Sequence, residues 1–338
     1  MKKSVFFGAL TVAGLAAGMA SAGTMADVQA KGFLQCGVST GLVGFAAPDA
    51  NGNWDGFDVS VCRAVAAAVL GDPQAVKFTP TTGKTRFTAL ASGEVDMLAR
   101  NTTWTFSRDV DLKFEFVGVN YYDGQGFMVP KSLGVSSAKE LDGATVCIQT
   151  GTTTELNLAD YFRSNKMNYE PVPIETNAEA QQQFLSGACD VYTTDRSGLA
   201  ATRATFEKPG DYVLLPEVIS KEPLGPLVRH GDNQWGDVVR WTLDALISAE
   251  ELGVTSANLD ELSKGTNNPE INRMLGTEGD LGGMLGLDKE WAKRAIAAGG
   301  NYAEIFERNI GASTPVGLSR GLNALWSDGG ILYSPPFR

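Results

Sequence analysis

The sequence predicts an α/β protein of two similar units, the second inserted into the first and joined to it by two crossing segments. Three observations carry this. Apolar runs of strand length alternate with amphipathic stretches of helix length, the pattern of a parallel sheet with helices on its faces. The alternation begins near residue 33 and restarts near residue 144. Two apolar segments flanked by flexible residues, 123–130 and 224–228, lie where the chain would pass between the units. A length of 338 residues also suits two domains.

In the first unit, residues 33–38 read as a buried strand, followed by a loop with Gly44, Pro48, Asn51 and Gly52. Asp58 opens a helix over 59–70 with Cys62, Val65 and Val69 on one face, and Gly71 and Pro73 end it. A strand at 76–79, a helix at 85–92 and a strand at 95–99 complete the unit. The second unit reads as strands at 145–149, 169–174, 191–193 and 212–215, with helices at 152–162, 178–185 and 197–206 between them. A strongly amphipathic helix over 234–251 follows the return, anchored by Val238, Trp241, Leu243 and Leu246. The Gly-rich remainder, with short helices around Glu270, Lys289 and Tyr302, is assigned to packing on the first unit.

Ahead of these units stands a leader pattern. Lys2 and Lys3 give a basic start, residues 4–19 are almost wholly apolar or small, and Ala20-Ser21-Ala22 supplies a small-x-small cleavage site. The expected division is therefore a signal peptide at 1–22, a first lobe made of 23–126 and 228–338, and a second lobe at 127–227. No Cys follows the cleavage site to carry a lipid and no twin-Arg pair precedes the apolar run, so a soluble exported chain is expected.

Composition narrows the function. The formal charge is −11 and becomes −13 once the two leader lysines are removed, which argues against nucleic acid and anionic membrane as partners. The single histidine, His230, leaves no basis for a His-centred triad or an ordinary zinc site. No cofactor or metal is called for. Four cysteines in an exported chain favour disulfides, with three possible pairings.

The polar residues at expected strand ends suit a particular ligand chemistry. A free amino acid carries a carboxylate, which a planar guanidinium matches with two parallel hydrogen bonds, and an ammonium, which needs a carboxylate. In open α/β sheets such groups belong just past the carboxyl ends of strands. The run 95–108 leaves a strand at Ala99 and ends in Arg108, and the run 190–195 ends a strand on Asp195. Gln149-Thr150-Gly151-Thr152-Thr153-Thr154 runs from a strand into a hydroxyl-rich helix start, whose free N–H groups and dipole favour an anion.

The segment Gly56-Phe57-Asp58-Val59-Ser60-Val61-Cys62 resembles the signature of the polar amino-acid-binding proteins of ABC transporters, bacterial solute-binding family 3. The stretch from Thr85 to Arg108, the turn at 149–153 and the strand end at 189–195 match that family in order and spacing. The resemblance spans most of 33–228, and the tail, with Arg320-Gly321-Leu322-Asn323-Ala324-Leu325-Trp326 and Pro335-Pro336-Phe337-Arg338, is similar to the general L-amino-acid binders. It implies the type II periplasmic binding protein fold, two lobes that close on a ligand. Carried over by position, Arg108 would grip the α-carboxylate with Thr103 and the Thr152-Thr153 turn, and Asp195 would hold the α-ammonium. Arg100 and Asn101 fall where relatives place small polar contacts. Ser60 stands in place of the usual acid, at a position serving the helix start. Leu42 stands where relatives often stack an aromatic ring, with Phe45 the nearest substitute. Pairing Cys36 with Cys62 and Cys147 with Cys189 is the choice that leaves the two lobes free to move.

The implied function is periplasmic capture of free L-amino acids, broad in specificity and including Glu, Gln, Asp and Asn, with delivery by a monomer to the permease subunits of an ABC importer in the inner membrane. The rival is a dehydratase-type enzyme on the same scaffold acting on carboxylated rings. That chemistry needs a general acid in the cleft, and the obvious carboxylate, Asp195, is better matched to an ammonium. A receptor's sensing domain would need a membrane tether.

Overall fold

A computed structural model describes residues 23–338; the leader expected at 1–22 lies outside them. The first lobe opens with α1 (Thr24–Lys31) and β1 (Leu34–Val38), then the hairpin β2 (Ala47–Pro48) and β3 (Trp54–Asp55). There follow α2 (Phe57–Leu70), β4 (Val76–Pro80), α3 (Arg86–Ser92), β5 (Met97–Leu98), β6 (Phe114–Phe116) and β7 (Tyr121–Asp123). The second lobe contains β8 (Gln125–Pro130), β9 (Ala144–Gln149), α4 (Thr153–Ser164), β10 (Tyr169–Ile174), α5 (Asn177–Leu185), β11 (Val191–Asp195), α6 (Arg196–Ala204) and β12 (Tyr212–Leu214). β13 (Glu222–Leu224) and β14 (Leu227–Arg229) return the chain to α7 (Asn233–Glu251), after which α8 (Leu259–Leu262), α9 (Pro269–Met274), α10 (Leu281–Leu285), α11 (Trp291–Ala297) and α12 (Tyr302–Asn309) finish it.

Each lobe holds a five-stranded mixed sheet, in the orders β4-β1-β5-β14-β6 and β10-β9-β11-β8-β12. In each sheet four strands run in one direction and one, β14 in the first and β8 in the second, runs against both its neighbours, so the carboxyl ends of β1 and β5 in one sheet, and of β9 and β11 in the other, carry the polar loops between the lobes. The crossing is a two-stranded ribbon in which Tyr121 pairs with Leu224 and Asp123 with Glu222. This differs by a few residues from the crossings expected at 123–130 and 224–228. The run Gln125–Pro130 is buried along nearly its whole length and pairs with β11 and β12, because so apolar a stretch is more stable inside a sheet than across a hinge.

The helix α2 begins one or two residues earlier than Asp58 suggests, at Phe57, with Gly56 as its N-cap at φ 135°. That backbone is favourable only for glycine, and a Cβ there would collide with the Phe45 carbonyl. α2 is buried on nearly every side, against its own sheet and against α7 and α11. The tail therefore completes the first lobe. Phe337 lies 5.1 Å from the Trp241 ring and 6.3 Å from Trp291, closing that core close to the chain's end. In the second lobe, successive residues of each strand feed opposite faces: Phe127, Val146 and Ile148 meet Phe162, while Met128, Cys147 and Tyr192 meet Phe184. Cys36–Cys62 and Cys147–Cys189 are both disulfides, each within one lobe, with Cα atoms 6.3 and 5.6 Å apart.

Candidate functional site

The carboxyl ends of the central strands meet at a cleft between the lobes with about 540 Å³ of free space, its open mouth included. Ser39 and Leu42 follow β1, and Arg100, Asn101 and Thr103 follow β5. Facing them are Gln149 at the end of β9, Thr152 to Thr154 at the start of α4, and Thr194, Asp195 and Ser197 where β11 becomes α6. The lobes are shut on one another: the Thr103 and Thr153 hydroxyls are 3.2 Å apart, and Asn177 Nδ2 donates to the Gly41 carbonyl at 3.0 Å.

The lining is polar and incompletely satisfied. Asn101 adopts a left-handed backbone, φ 44°, at the abrupt turn after Arg100, and its Oδ1 is buried without a partner. Arg86, at the first position of α3, is 2 % exposed; its Nη1 donates to Thr102 Oγ1 at 3.2 Å while its Nε has no partner. Ser197 Oγ is likewise unpaired. Buried polar atoms are seldom left this way, and three around one cleft mark it as built for a polar guest.

Thr152 caps α4 through the Glu155 N–H at 3.2 Å and also donates to the Gln149 carbonyl at 2.6 Å, so its capping role is satisfied within the fold. Arg100 Nε donates to the Thr81 carbonyl at 3.1 Å, which aims its guanidinium along the cleft wall.

Charge is crowded here. Burial, joined by the charge of Arg108, lowers Arg100 to about 10, and burial lowers Arg108 to about 10 as well. Arg86 is held well below the usual arginine range by burial and by the other two guanidiniums. Opposite them, burial and the neighbouring carboxylates of Asp123 and Glu222 push Asp195 well above the usual carboxylate range.

Six expected residues meet at the cleft: Arg100, Asn101, Thr103, Thr152, Thr153 and Asp195. Two do not line it. Arg108 sits behind Thr103 in a π-type turn, Ser107–Asp111, where its Nη1 donates to the Thr103 carbonyl at 2.9 Å and its guanidinium lies 5.1 Å over the Phe87 ring. Those two contacts hold it beside the cleft, where its charge bears on Arg86, Arg100 and Asp195. Phe45 is wholly buried in the aromatic core, 6.1 Å from Phe57 and 5.8 Å from Tyr121, and Leu42 alone forms that part of the wall. Ser60 donates to the Gly56 carbonyl at 2.8 Å and touches nothing in the cleft, a role confined to the start of α2.

The sequence reading missed Arg86, Ser39, Asn177 and Glu222. Arg86 precedes an apolar helical face and reads as a surface cation until the fold buries it. Glu222 stands between Lys221 and Pro223 and reads as an exposed turn, yet it is 1 % exposed. Its Oε2 accepts from the hydroxyls of Thr103, in the first lobe, and Thr153, in the second, while Asn157 and Ser220 donate to Oε1 at 2.7 and 2.6 Å.

Two α/β lobes, a hinge ribbon and a charged cleft closed between strand ends define a type II periplasmic binding protein. The chain belongs to the bacterial extracellular solute-binding proteins, family 3, whose model matches residues 34–257. It is 68 % identical, over the whole of both chains, to the glutamate/glutamine/aspartate/asparagine-binding protein BztA of Rhodobacter capsulatus. It is 59 % identical, again over the whole of both, to the general L-amino acid-binding periplasmic protein AapJ of Rhizobium johnstonii. Among solved structures, an ABC transporter periplasmic binding protein from Brucella ovis with glutathione bound superposes with a TM-score of 0.91 at 58 % identity, covering 94 % of this chain and 100 % of that one. Among the described residues no helix is long and apolar enough to cross a membrane.

Proposed function

We propose that this chain captures free L-amino acids in the periplasm and hands them to the permease of an ABC importer, working as a monomer that closes its lobes on the ligand. The carrying observation is the pairing of opposite charges within one small cleft: a buried carboxylate, Asp195, beside the start of α4 and a cluster of guanidiniums. An α-amino acid is the small molecule that presents the matching ammonium and carboxylate on adjacent atoms. In this reading Asp195 holds the α-ammonium. The N–H groups at the start of α4 receive the α-carboxylate, with Thr103 beside them and the Arg108 charge behind. The side chain then runs toward Arg86, Arg100 and Leu42.

Arg86 is lowered by the charges of Arg100 and Arg108, and Arg100 by that of Arg108; a second negative group relieves this crowding, which favours Glu and Asp, with Gln and Asn as near-isosteric guests. The names of the Rhodobacter and Rhizobium relatives support the same ligands and breadth. The glutathione of the Brucella relative supports a wider reading, in which glutamate is also accepted when its γ-carboxyl is carried as an amide. A ring dehydratase is disfavoured, because the family is one of solute-binding proteins and Asp195 is committed to a cation.

The test is a thermal-shift panel of refolded, ligand-stripped protein against all twenty L-amino acids, with Asp195→Ala alongside. A ligand that binds the folded state alone must raise its melting temperature. The expected result is a rise with Glu, Gln, Asp and Asn in the wild type, absent in the variant. A wild type proven folded and unmoved by every amino acid would contradict the proposal.

A further inference from the structure

Beyond the amino-acid cleft lies a second concavity of about 270 Å³, its mouth included, lined by Leu42, Val43, Asn177, Gln181, Thr202 and Thr205 among others. Leu42 and Asn177 line both spaces. The partition between them is the Leu42 side chain and the bond from Asn177 Nδ2 to the Gly41 carbonyl, at 3.0 Å, which joins one lobe to the other. Gly41 has φ 127° and nothing within 4 Å of where a Cβ would stand, so this edge of the partition is unpacked.

We infer that the seam between Gly41 and Asn177 opens into a second subsite, which takes the amide-linked extension of a γ-glutamyl ligand. The inference rests on the amino-acid reading above, since it needs the α-carbon groups anchored at Asp195 and the start of α4. Leu42 and Asn177 line the same cleft as those anchors, so a side chain running along Leu42 reaches the seam. An amide group can replace the partition's own hydrogen bond on both sides: its carbonyl accepts from Asn177 Nδ2 and its N–H donates to the Gly41 carbonyl. An ester or a methylene chain can satisfy one side or neither, leaving a buried polar group unpaired. The lining beyond is neutral and hydrogen-bonding, with no charged side chain among the described residues, and Val43 at its edge is 43 % exposed. The terminal carboxylate of the extension thus reaches water.

Titration calorimetry with L-glutamate, γ-L-glutamylglycine and α-L-glutamylglycine tests this on the wild type and on Gln181→Trp. Gln181 is half-buried and bonded to Thr205, so an indole there fills the outer space without touching the amino-acid cleft. The wild type should bind glutamate and the γ-linked dipeptide and reject the α-linked one, whose α-carboxyl is blocked. Gln181→Trp should weaken the γ-linked dipeptide about tenfold or more while leaving glutamate within about twofold. Thr205→Trp, at an exposed position of the same wall, should do likewise and serves if the first variant does not fold. Glutamate binding without γ-glutamylglycine binding in the wild type would overturn the subsite and leave the proposed function standing, as would a γ-linked affinity unmoved by either indole. A wild type that binds neither would overturn both.

Discussion

At the residue scale the cleft balances charges that are costly to bury singly. Asp195 gains a proton more readily than a free aspartate because burial and the Asp123 and Glu222 carboxylates oppose its charge. A ligand ammonium reverses that preference by pairing with the ionised form. Binding should therefore release a proton wherever the ligand-free Asp195 is protonated, and affinity should rise with pH through that range and level off above it. Calorimetry at mildly acidic pH in buffers of different ionisation enthalpy reads the release directly; heats that do not depend on the buffer would count against the ion pair. Arg86 makes the complementary prediction. Arg86→Met keeps most of the volume and removes the charge, so glutamate and aspartate should bind about tenfold more weakly, with a smaller loss for glutamine. Equal losses for all four would assign Arg86 to packing alone. Arg86 was out of reach of the sequence because its burial depends on loops from both sides of α3, whereas Asp195 was legible because a carboxylate ending a strand already had a place in the fold.

At the scale of elements, most of the alternation of strands and helices could be read from apolar periodicity. β10 falls where its pattern placed it, and α4 and α5 begin within a residue of theirs. What could not be read was β6 and the crossing ribbon, each three residues long per strand, too short for any period to declare itself. The ribbon matters because Glu222 lies on it and draws together hydroxyls from both lobes. The disulfides also belong to this scale. They close loops of 26 and 42 residues by sequence separation. Loop-closure entropy assigns each about 3–4 kcal/mol. Replacing Cys147 and Cys189 by Ala should lower stability in a denaturant titration by roughly that amount while leaving ligand affinity unchanged, since both lie in the second lobe's core and neither lines the cleft. Lost affinity in a folded variant would show that the bridge shapes the site.

At the scale of the whole molecule, the lobes are joined by a ribbon and by contacts that exist only when they are shut: Thr103 with Thr153, Gly41 with Asn177, and the exposed Lys84–Glu175 pair at 2.7 Å. The first two lie within or beside the cleft, and the exposed ion pair adds little by itself. Under the proposed function, a ligand bridging Asp195 and the start of α4 on one side and Arg86 and Arg100 on the other would add stabilisation to the shut state alone, turning binding into a signal a permease can read. The two-lobed plan was legible from the repeated pattern and the inserted second unit. The burial of Arg86 in the cleft wall, the packing of Arg108 behind Thr103 and the core position of Phe45 were not, because each depends on side chains brought together only when the lobes and the aromatic core assemble. Capture by closure is read most directly by small-angle X-ray scattering of the ligand-stripped protein titrated with L-glutamate. The radius of gyration should fall and saturate as glutamate is added, with no change in Asp195→Ala. A scattering curve unaltered at saturating glutamate would contradict capture by closure.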